Sequence, residues 1–202
     1  MSAASTLVFA TAYLAAVILP GPGVTALVAR VLARGAGGAP AFTAGSILGA
    51  LAWLAVAATG LTALVARYSA LFLAIRYAGA AYLLYLAWTL WTAPVRAMEA
   101  IDDSREGHGQ LFLAGLAVNL GNPNAVVFFM ALLPAVMTLD GMTPADFATL
   151  AGLVALIVAA VYGGYTLVAS QARRLFTSPD AMRTIKRGSG IAMAIVAATL
   201  LA

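Results

Sequence analysis

Six stretches of this sequence are rich in aliphatic residues and almost free of charge. They cover residues 5–31, 41–65, 69–91, 111–137, 147–170 and 188–202. A transmembrane helix needs about 20 consecutive apolar residues to cross the hydrocarbon core of a bilayer. Charged residues make up 9% of the whole chain, against about 25% in soluble domains. The sequence therefore predicts an all-α integral membrane protein with six transmembrane helices.

Two of these stretches are interrupted by residues that break helices. PGPG occupies positions 20–23 in the first stretch, and NLGNPN occupies positions 119–124 in the fourth. Proline costs about 3 kcal/mol in a helix interior, and a broken helix survives in lipid only where protein or a water-filled cavity satisfies the freed backbone groups. Two breaks at matching depth favour a solute site near the middle of the membrane. The alternative is that both breaks are structural kinks.

The residues at the breaks offer hydrogen-bond donors and acceptors to a solute. The half-helix after the first break begins near Gly23 and Val24, and its free N–H groups carry partial positive charge that suits a carboxylate. Pro123 frees the backbone carbonyl four residues before it, that of Asn119, and the three asparagines of this break offer donors and acceptors without charge. The predicted substrate-binding residues are Pro20, Gly21, Pro22, Gly23, Val24, Asn119, Asn122, Pro123 and Asn124.

Four further residues in the second and fifth stretches are predicted to line the cavity. They are Gly45, Gly49, Tyr162 and Tyr165. The two glycines have a second interpretation, because small residues four apart also let neighbouring transmembrane helices approach closely.

Matching features in the two halves of the chain predict an inverted repeat. Gly49 follows Pro20 at the same distance as Gly152 follows Pro123. Three helices in each half is an odd number, so the second half must enter the membrane from the opposite side, as in many secondary transporters. We therefore expect a single membrane domain over residues 1–202, with one repeat over residues 5–92, a polar loop over 93–110 and a second repeat over 111–202.

The basic residues predict an orientation. All of the 11 Lys and Arg residues except Arg67 and Arg76 fall in or near loops on one side of the six-helix arrangement. Short loops rich in Lys and Arg face the cytoplasm. Both termini are then expected outside.

Residue types that several other functions need are missing from the six stretches. The chain has no cysteine and one histidine, His108, which falls in the polar loop, and no acidic residue lies within a predicted span. This argues against a metal or ion exporter, which needs carboxylate, His or Cys ligands, and against an intramembrane enzyme, which needs an activated nucleophile or a metal. Asp146 follows Pro144 and is predicted to cap a helix. Scattered arginines without aromatic platforms argue against a nucleic-acid partner.

Four segments carry a resemblance to a known family. PGPG in the first stretch, AGSILGALAW in the second, RYAGAAYLLYLAW in the third and GLAVNLGNPNAVVFFMALLP in the fourth resemble the lysine-exporter (LysE/RhtB) family of bacterial amino-acid exporters. The resemblance implies a secondary transporter of the bacterial inner membrane, without a cofactor. Such a protein would export an amino acid or close derivative from the cytoplasm by alternating access, as an antiporter that uses protons.

The family motifs match this chain at most positions. The family pattern is Pro-Gly-Pro followed by Asn or Asp, and Asn-Pro-Lys in the fourth span. The matching residues are Pro20, Gly21, Pro22, Asn122 and Pro123. Gly23 stands where Asn or Asp is usual, and Asn124 stands where Lys is usual, so each break loses a polar or ionisable group.

The partners expected from the sequence are an amino-acid-like small molecule, protons and the lipid bilayer. Export of another small solute or ion and a non-transporting membrane scaffold remain alternatives. The sequence does not decide the oligomeric state and leaves a homodimer open.

Overall fold

The computed structural model is entirely helical, without strands, over the residues that it describes. These are residues 2–59, 77, 81, 84–85, 87–88, 91–92, 107–132, 142–175, 183–184, 187–192, 194–195 and 198. In this part of the chain two helices are long and apolar enough to cross a membrane, and two bent helix pairs raise the number of candidate spans to four. The predicted third and sixth spans lie mostly outside the described residues. The count of six and the inverted repeat stay predictions.

The first predicted span is two helices joined at the PGPG sequence. Helix α1 covers Ala3–Ile18 and helix α2 covers Pro22–Arg34, and their axes bend by 49°. Pro22 is the first residue of α2, a position where the missing N–H costs nothing and the fixed φ suits a helix. Gly35 ends α2 with φ +92°, which favours glycine. The predicted interruption of the first span is confirmed.

Helix α3 covers Ala39–Ala58 and packs along helix α4, His108–Leu120. The two helices run in the same direction, since Gly38 lies beside Leu111 at their starts and Gly49 lies beside Asn119 further along. His108, which was expected in a loop, is the exposed first residue of α4. The structure describes α3 as ending at Ala58, and the predicted continuation over residues 60–65 lies outside the described residues.

Glycines bring the backbones of α3 and α4 into contact. A Cβ at Gly45 would overlap the Phe112 carbonyl oxygen, and a Cβ at Gly115 would overlap the Phe42 carbonyl oxygen. The buried Ser46 hydroxyl lies 3.0 Å from the Phe42 carbonyl and 3.3 Å from that of Gly115, so it donates within α3 and towards α4. Close approach is the role that small residues commonly have between membrane helices.

The fourth predicted span is also broken. Helix α4 is followed by the short helix α5, Pro123–Val127, and then by a π-helical turn, Phe128–Leu132. The axis bends by 56° at the break. The Asn122 side chain caps α5 by accepting a 3.0 Å hydrogen bond from the Asn124 amide. The predicted interruption near Pro123 is therefore confirmed.

The fifth predicted span is helix α6, Pro144–Leu175, which is longer at both ends than predicted. Its start is a capping box. The Thr143 hydroxyl accepts a 3.2 Å hydrogen bond from the Asp146 amide, and the Asp146 carboxylate accepts one of 3.0 Å from the Thr143 amide. Asp146 thus takes part in capping, as predicted, but Thr143 holds the N-cap position. Helix α6 packs against α1, α2 and α3.

Replacing Thr143 by valine is expected to lower the stability of the protein by about 1 kcal/mol, because both bonds of its hydroxyl at the start of α6 are lost. Thermal unfolding in detergent measures the change. Thr166→Val, in the middle of the same helix, is the control. An equal loss in both variants would show that the capping box contributes nothing particular.

Basic side chains gather at one end of the bundle. An Arg30 guanidinium nitrogen donates to the Gly35 carbonyl at 3.1 Å, and the Arg173 guanidinium lies beside Gly35. The ends of α2 and α6 and the start of α3 are therefore together, while Asp146 lies at the opposite end of α6. The orientation of these two ends relative to the membrane stays a prediction.

Candidate functional site

A small cavity lies where the two breaks face each other. Its volume is about 60 Å³. A single water needs about 10–15 Å³ measured in this way, so there is room for several water-sized groups. The lining residues are Tyr13, Ala16, Val17, Gly21, Gly23, Val24, Asn119, Asn122, Asn124, Ala125, Phe129, Val158 and Tyr162. Residues of both breaks therefore line the same space, as the matching depth of the proline motifs predicted.

The start of α2 presents hydrogen-bond donors to the cavity. The first bond of the helix runs from the Thr25 amide to the Gly21 carbonyl, at 2.9 Å. Gly21, the N-cap residue, has no side chain to accept from the amides that precede Thr25. The Gly23 and Val24 amides consequently have no acceptor among the described residues. They lie at the positive end of the helix dipole, where a carboxylate binds favourably.

The second break presents amide groups. The Asn119 carbonyl, predicted to be freed by Pro123, accepts a 3.1 Å hydrogen bond from the Asn122 amide, so a tight turn satisfies part of its capacity. The Asn119 side chain is buried, and its oxygen has no hydrogen-bond partner among the described residues. Leaving such an acceptor unsatisfied costs about 1–3 kcal/mol. Asn119 is therefore a polar group at the cavity wall whose bonding is incomplete.

The two breaks touch each other directly. The Asn124 side-chain nitrogen is 3.3 Å from the position that a Cβ on Gly21 would take. A Cβ at position 21 would require the Asn124 side chain to shift by a few tenths of an ångström. Because Gly21 has no side chain, the Asn124 side chain packs directly against the first break.

Tyr162 covers the start of α2 from the side of α6. Its hydroxyl occupies the place that a Cβ on Gly23 would need. Tyr162 was predicted to line the cavity, and the structure places it in the lining.

Three other predicted cavity residues have different surroundings. Gly45 and Gly49 face α4 instead, with Gly45 against the Phe112 backbone and Gly49 against Asn119. Tyr165 lies outside the lining and donates a 2.8 Å hydrogen bond to the Ile18 carbonyl. That carbonyl is four residues before Pro22, whose missing N–H would have been its helical partner. Tyr165 therefore satisfies the backbone at the first break.

Replacing Tyr165 by phenylalanine is expected to destabilise the protein by about 1 kcal/mol, because the Ile18 carbonyl loses its donor at membrane depth. The measurement is the thermal midpoint in detergent. Tyr77→Phe, at an exposed tyrosine, provides the control. If both substitutions leave the midpoint unchanged, the bond to Ile18 does not stabilise the break.

An aromatic cluster that contributes Tyr13 and Phe129 to the cavity lining was not foreseen. Tyr13 stacks on Phe9 with ring centroids 5.7 Å apart, and it contacts Phe128 and Phe129 at 4.9 and 5.5 Å. Phe128 and Phe129 begin the π-helical turn after the second break, and such turns are frequent at functional sites. The i, i+4 spacing of Phe9 and Tyr13 and the FF pair after the break are the signals that could have indicated it.

The three prolines among the predicted binding residues lie at the breaks. Pro20 and Pro22 are not part of the lining, and Pro123 is the first residue of α5. Within the described ranges no group of three or more His, Asp or Glu residues is placed to hold a metal ion.

Comparison with known proteins identifies the family. The family model described as LysE type translocator matches residues 14–202. The chain belongs to this LysE family. The homoserine/homoserine lactone efflux protein of Salmonella typhi is 29% identical over 185 residues, covering 90% of this chain and 88% of that protein. The leucine efflux protein of Salmonella choleraesuis is 29% identical over 116 residues, covering 57% of this chain and 55% of that protein. No solved structure matches.

A third relative has no assigned activity. An uncharacterized membrane protein of Vibrio cholerae is 28% identical over 172 residues, covering 84% of this chain and 83% of that protein. Family membership, amino-acid efflux relatives and apolar helices together make this LysE family protein a membrane transporter and not an enzyme. The resemblance inferred from the proline motifs is confirmed.

Proposed function

We propose that this LysE family protein exports an amino acid or a close derivative from the cytoplasm across the bacterial inner membrane. The observation that carries the proposal is the cavity between the two breaks, which is lined by residues of the α2 start and by three asparagines of the second break. The efflux named for its relatives, of homoserine and of leucine, indicates the substrate class.

The proposed site suits a zwitterion. The substrate carboxylate accepts hydrogen bonds from the Gly23 and Val24 amides at the positive end of α2. The ammonium group donates to uncharged acceptors of the second break, which contributes Asn119, Asn122 and Asn124 to the lining. The lining contains no acidic or basic side chain. A substrate with no net charge matches it, because burial of an uncompensated charge is strongly unfavourable.

In the proposed mechanism the two broken helices bind the substrate and a relative movement of the two halves exposes it to the outside. Helix α6 contacts α1, α2 and α3 and thus joins the second half of the chain to the first. The Tyr165–Ile18 bond lies at this junction, beside the first break. Proton coupling and the outward position of both termini are parts of the proposal.

Efflux of a panel of labelled amino acids from preloaded cells, with and without a proton gradient, tests the proposal. We expect a subset to leave faster when the protein is present and the gradient is intact. The double variant Gly23→Leu, Pro123→Ala should stop this efflux while reaching the membrane in normal amounts. If the native protein accelerates the efflux of none of them, a scaffold role or a different solute replaces amino-acid export.

A further inference from the structure

The Tyr162 side chain is placed to sense the part of a substrate that extends beyond its carboxylate. It reaches from α6 to the start of α2 and lies against Gly23, whose amide is one of the two donors facing the cavity. It is buried, with 5% of its surface exposed. A group held in the lining this close to the helix end contacts whatever binds there.

A tyrosine hydroxyl has one hydrogen-bond donor and acceptor lone pairs on its oxygen. The Tyr162 hydroxyl is held beside Gly23, and the residue belongs to the cavity lining. It is therefore placed to form a hydrogen bond with a hydroxyl group of the substrate, as donor or as acceptor.

We propose that Tyr162 determines the specificity of this transporter. Its hydroxyl forms a hydrogen bond with a hydroxyl on a short substrate side chain, and its ring closes the cavity to bulky side chains. The inference rests on the proposed function, because it assumes that an amino acid binds between the breaks. A site that hydrogen-bonds a substrate hydroxyl discriminates against an isosteric analogue that lacks it. One such bond corresponds to about a tenfold preference.

Three amino acids with different side chains test this inference when they compete with one another for efflux, and the measured quantity is the ratio of their efflux rates. L-homoserine and L-norvaline have the same shape and differ by a hydroxyl in place of a methyl, and L-leucine is branched and bulkier. The native protein is expected to prefer L-homoserine to L-norvaline by about tenfold. Tyr162→Phe should bring that ratio close to one while L-norvaline efflux continues. Tyr162→Ala should raise the efflux of L-leucine relative to the other two.

Two comparisons separate a specific role from a loss of folding. Tyr165→Phe, one turn away and outside the lining, should keep the native ratio. Tyr162→Ala also removes the hydroxyl and should lower the ratio of L-homoserine to L-norvaline efflux, which tests the inference even if Tyr162→Phe does not reach the membrane. A native preference for L-norvaline or L-leucine, or an unchanged ratio in Tyr162→Phe, overturns the role of Tyr162 and leaves the proposed function standing. If the native protein exports none of these three amino acids and none of the wider panel, both the role of Tyr162 and the proposed function are overturned.

Discussion

Gly23→Leu is expected to reduce amino-acid efflux by about 100-fold or more. A side chain at this position must displace the Tyr162 hydroxyl, and it covers the two amides at the start of α2. Each hydrogen bond from an amide to a charged carboxylate contributes about 1.5–3 kcal/mol, so losing two corresponds to at least about 3 kcal/mol. Initial rates of efflux from preloaded cells, normalised to the amount of protein in the membrane, measure the effect.

Gly152→Leu is the matched control for this variant. Gly152 is an exposed glycine of α6, and a Cβ built there meets nothing within 4 Å. Its efflux should stay close to that of the native protein. A second control separates steric conflict from loss of the amides. Efflux by the double variant Gly23→Ala, Tyr162→Phe should exceed efflux by Gly23→Ala alone, because the added Cβ then contacts a ring carbon and no longer overlaps the hydroxyl. Normal efflux by Gly23→Leu would contradict binding at the α2 start.

Gly45→Ala is expected to destabilise the protein by about 3 kcal/mol, at the upper end of the range for added bulk in a packed interior. The added Cβ would overlap the Phe112 carbonyl and lie 2.9 Å from the Leu116 amide nitrogen. Backbone atoms of a helix cannot move aside as a flexible side chain can. Helices α3 and α4 would have to separate, and the position of Asn119 at the cavity would change with them. Gly115→Ala, at the reciprocal contact with Phe42, should have a similar effect.

Thermal unfolding in detergent measures this loss. Gly164→Ala serves as the control, because Gly164 is exposed on α6 with nothing within 4 Å of an added Cβ. In a helix interior alanine is favoured over glycine by about 1 kcal/mol, so the control should be neutral or slightly stabilised. Equal midpoints for Gly45→Ala and Gly164→Ala would show that α3 and α4 are not packed as closely as described.

The positions of the breaks could be predicted from the sequence because proline and glycine act locally. Pro22 and Pro123 each begin a helix, and the residues before each of them cannot continue the previous one. The polarity of the site followed as well, since Asn119, Asn122 and Asn124 stand in an otherwise apolar stretch. Local chemistry thus indicated where a cavity would form and which polar groups would face it.

Contacts between distant segments could not be predicted in the same way. Nothing near Tyr165 in the sequence points to the Ile18 carbonyl, 147 residues away. The pairing of Tyr162 with Gly23 likewise depends on how α6 packs against α2. Gly45 and Gly49 were assigned to the cavity because small residues suit a cavity wall, but small residues suit a close contact between helices equally well. Only the packing of α3 on α4 distinguishes these two roles.

The most direct test of the central claim is protection of single cysteines by substrate. The chain contains no cysteine, so Val24→Cys and Asn124→Cys introduce unique thiols at the two breaks. In variants that retain efflux, an exported amino acid should slow maleimide labelling at both positions, with the same half-protecting concentration. Leu7→Cys, on the exposed face of α1, should label at the same rate with and without it. Protection at one break only, or at neither, by an amino acid that the protein exports would contradict a shared binding cavity.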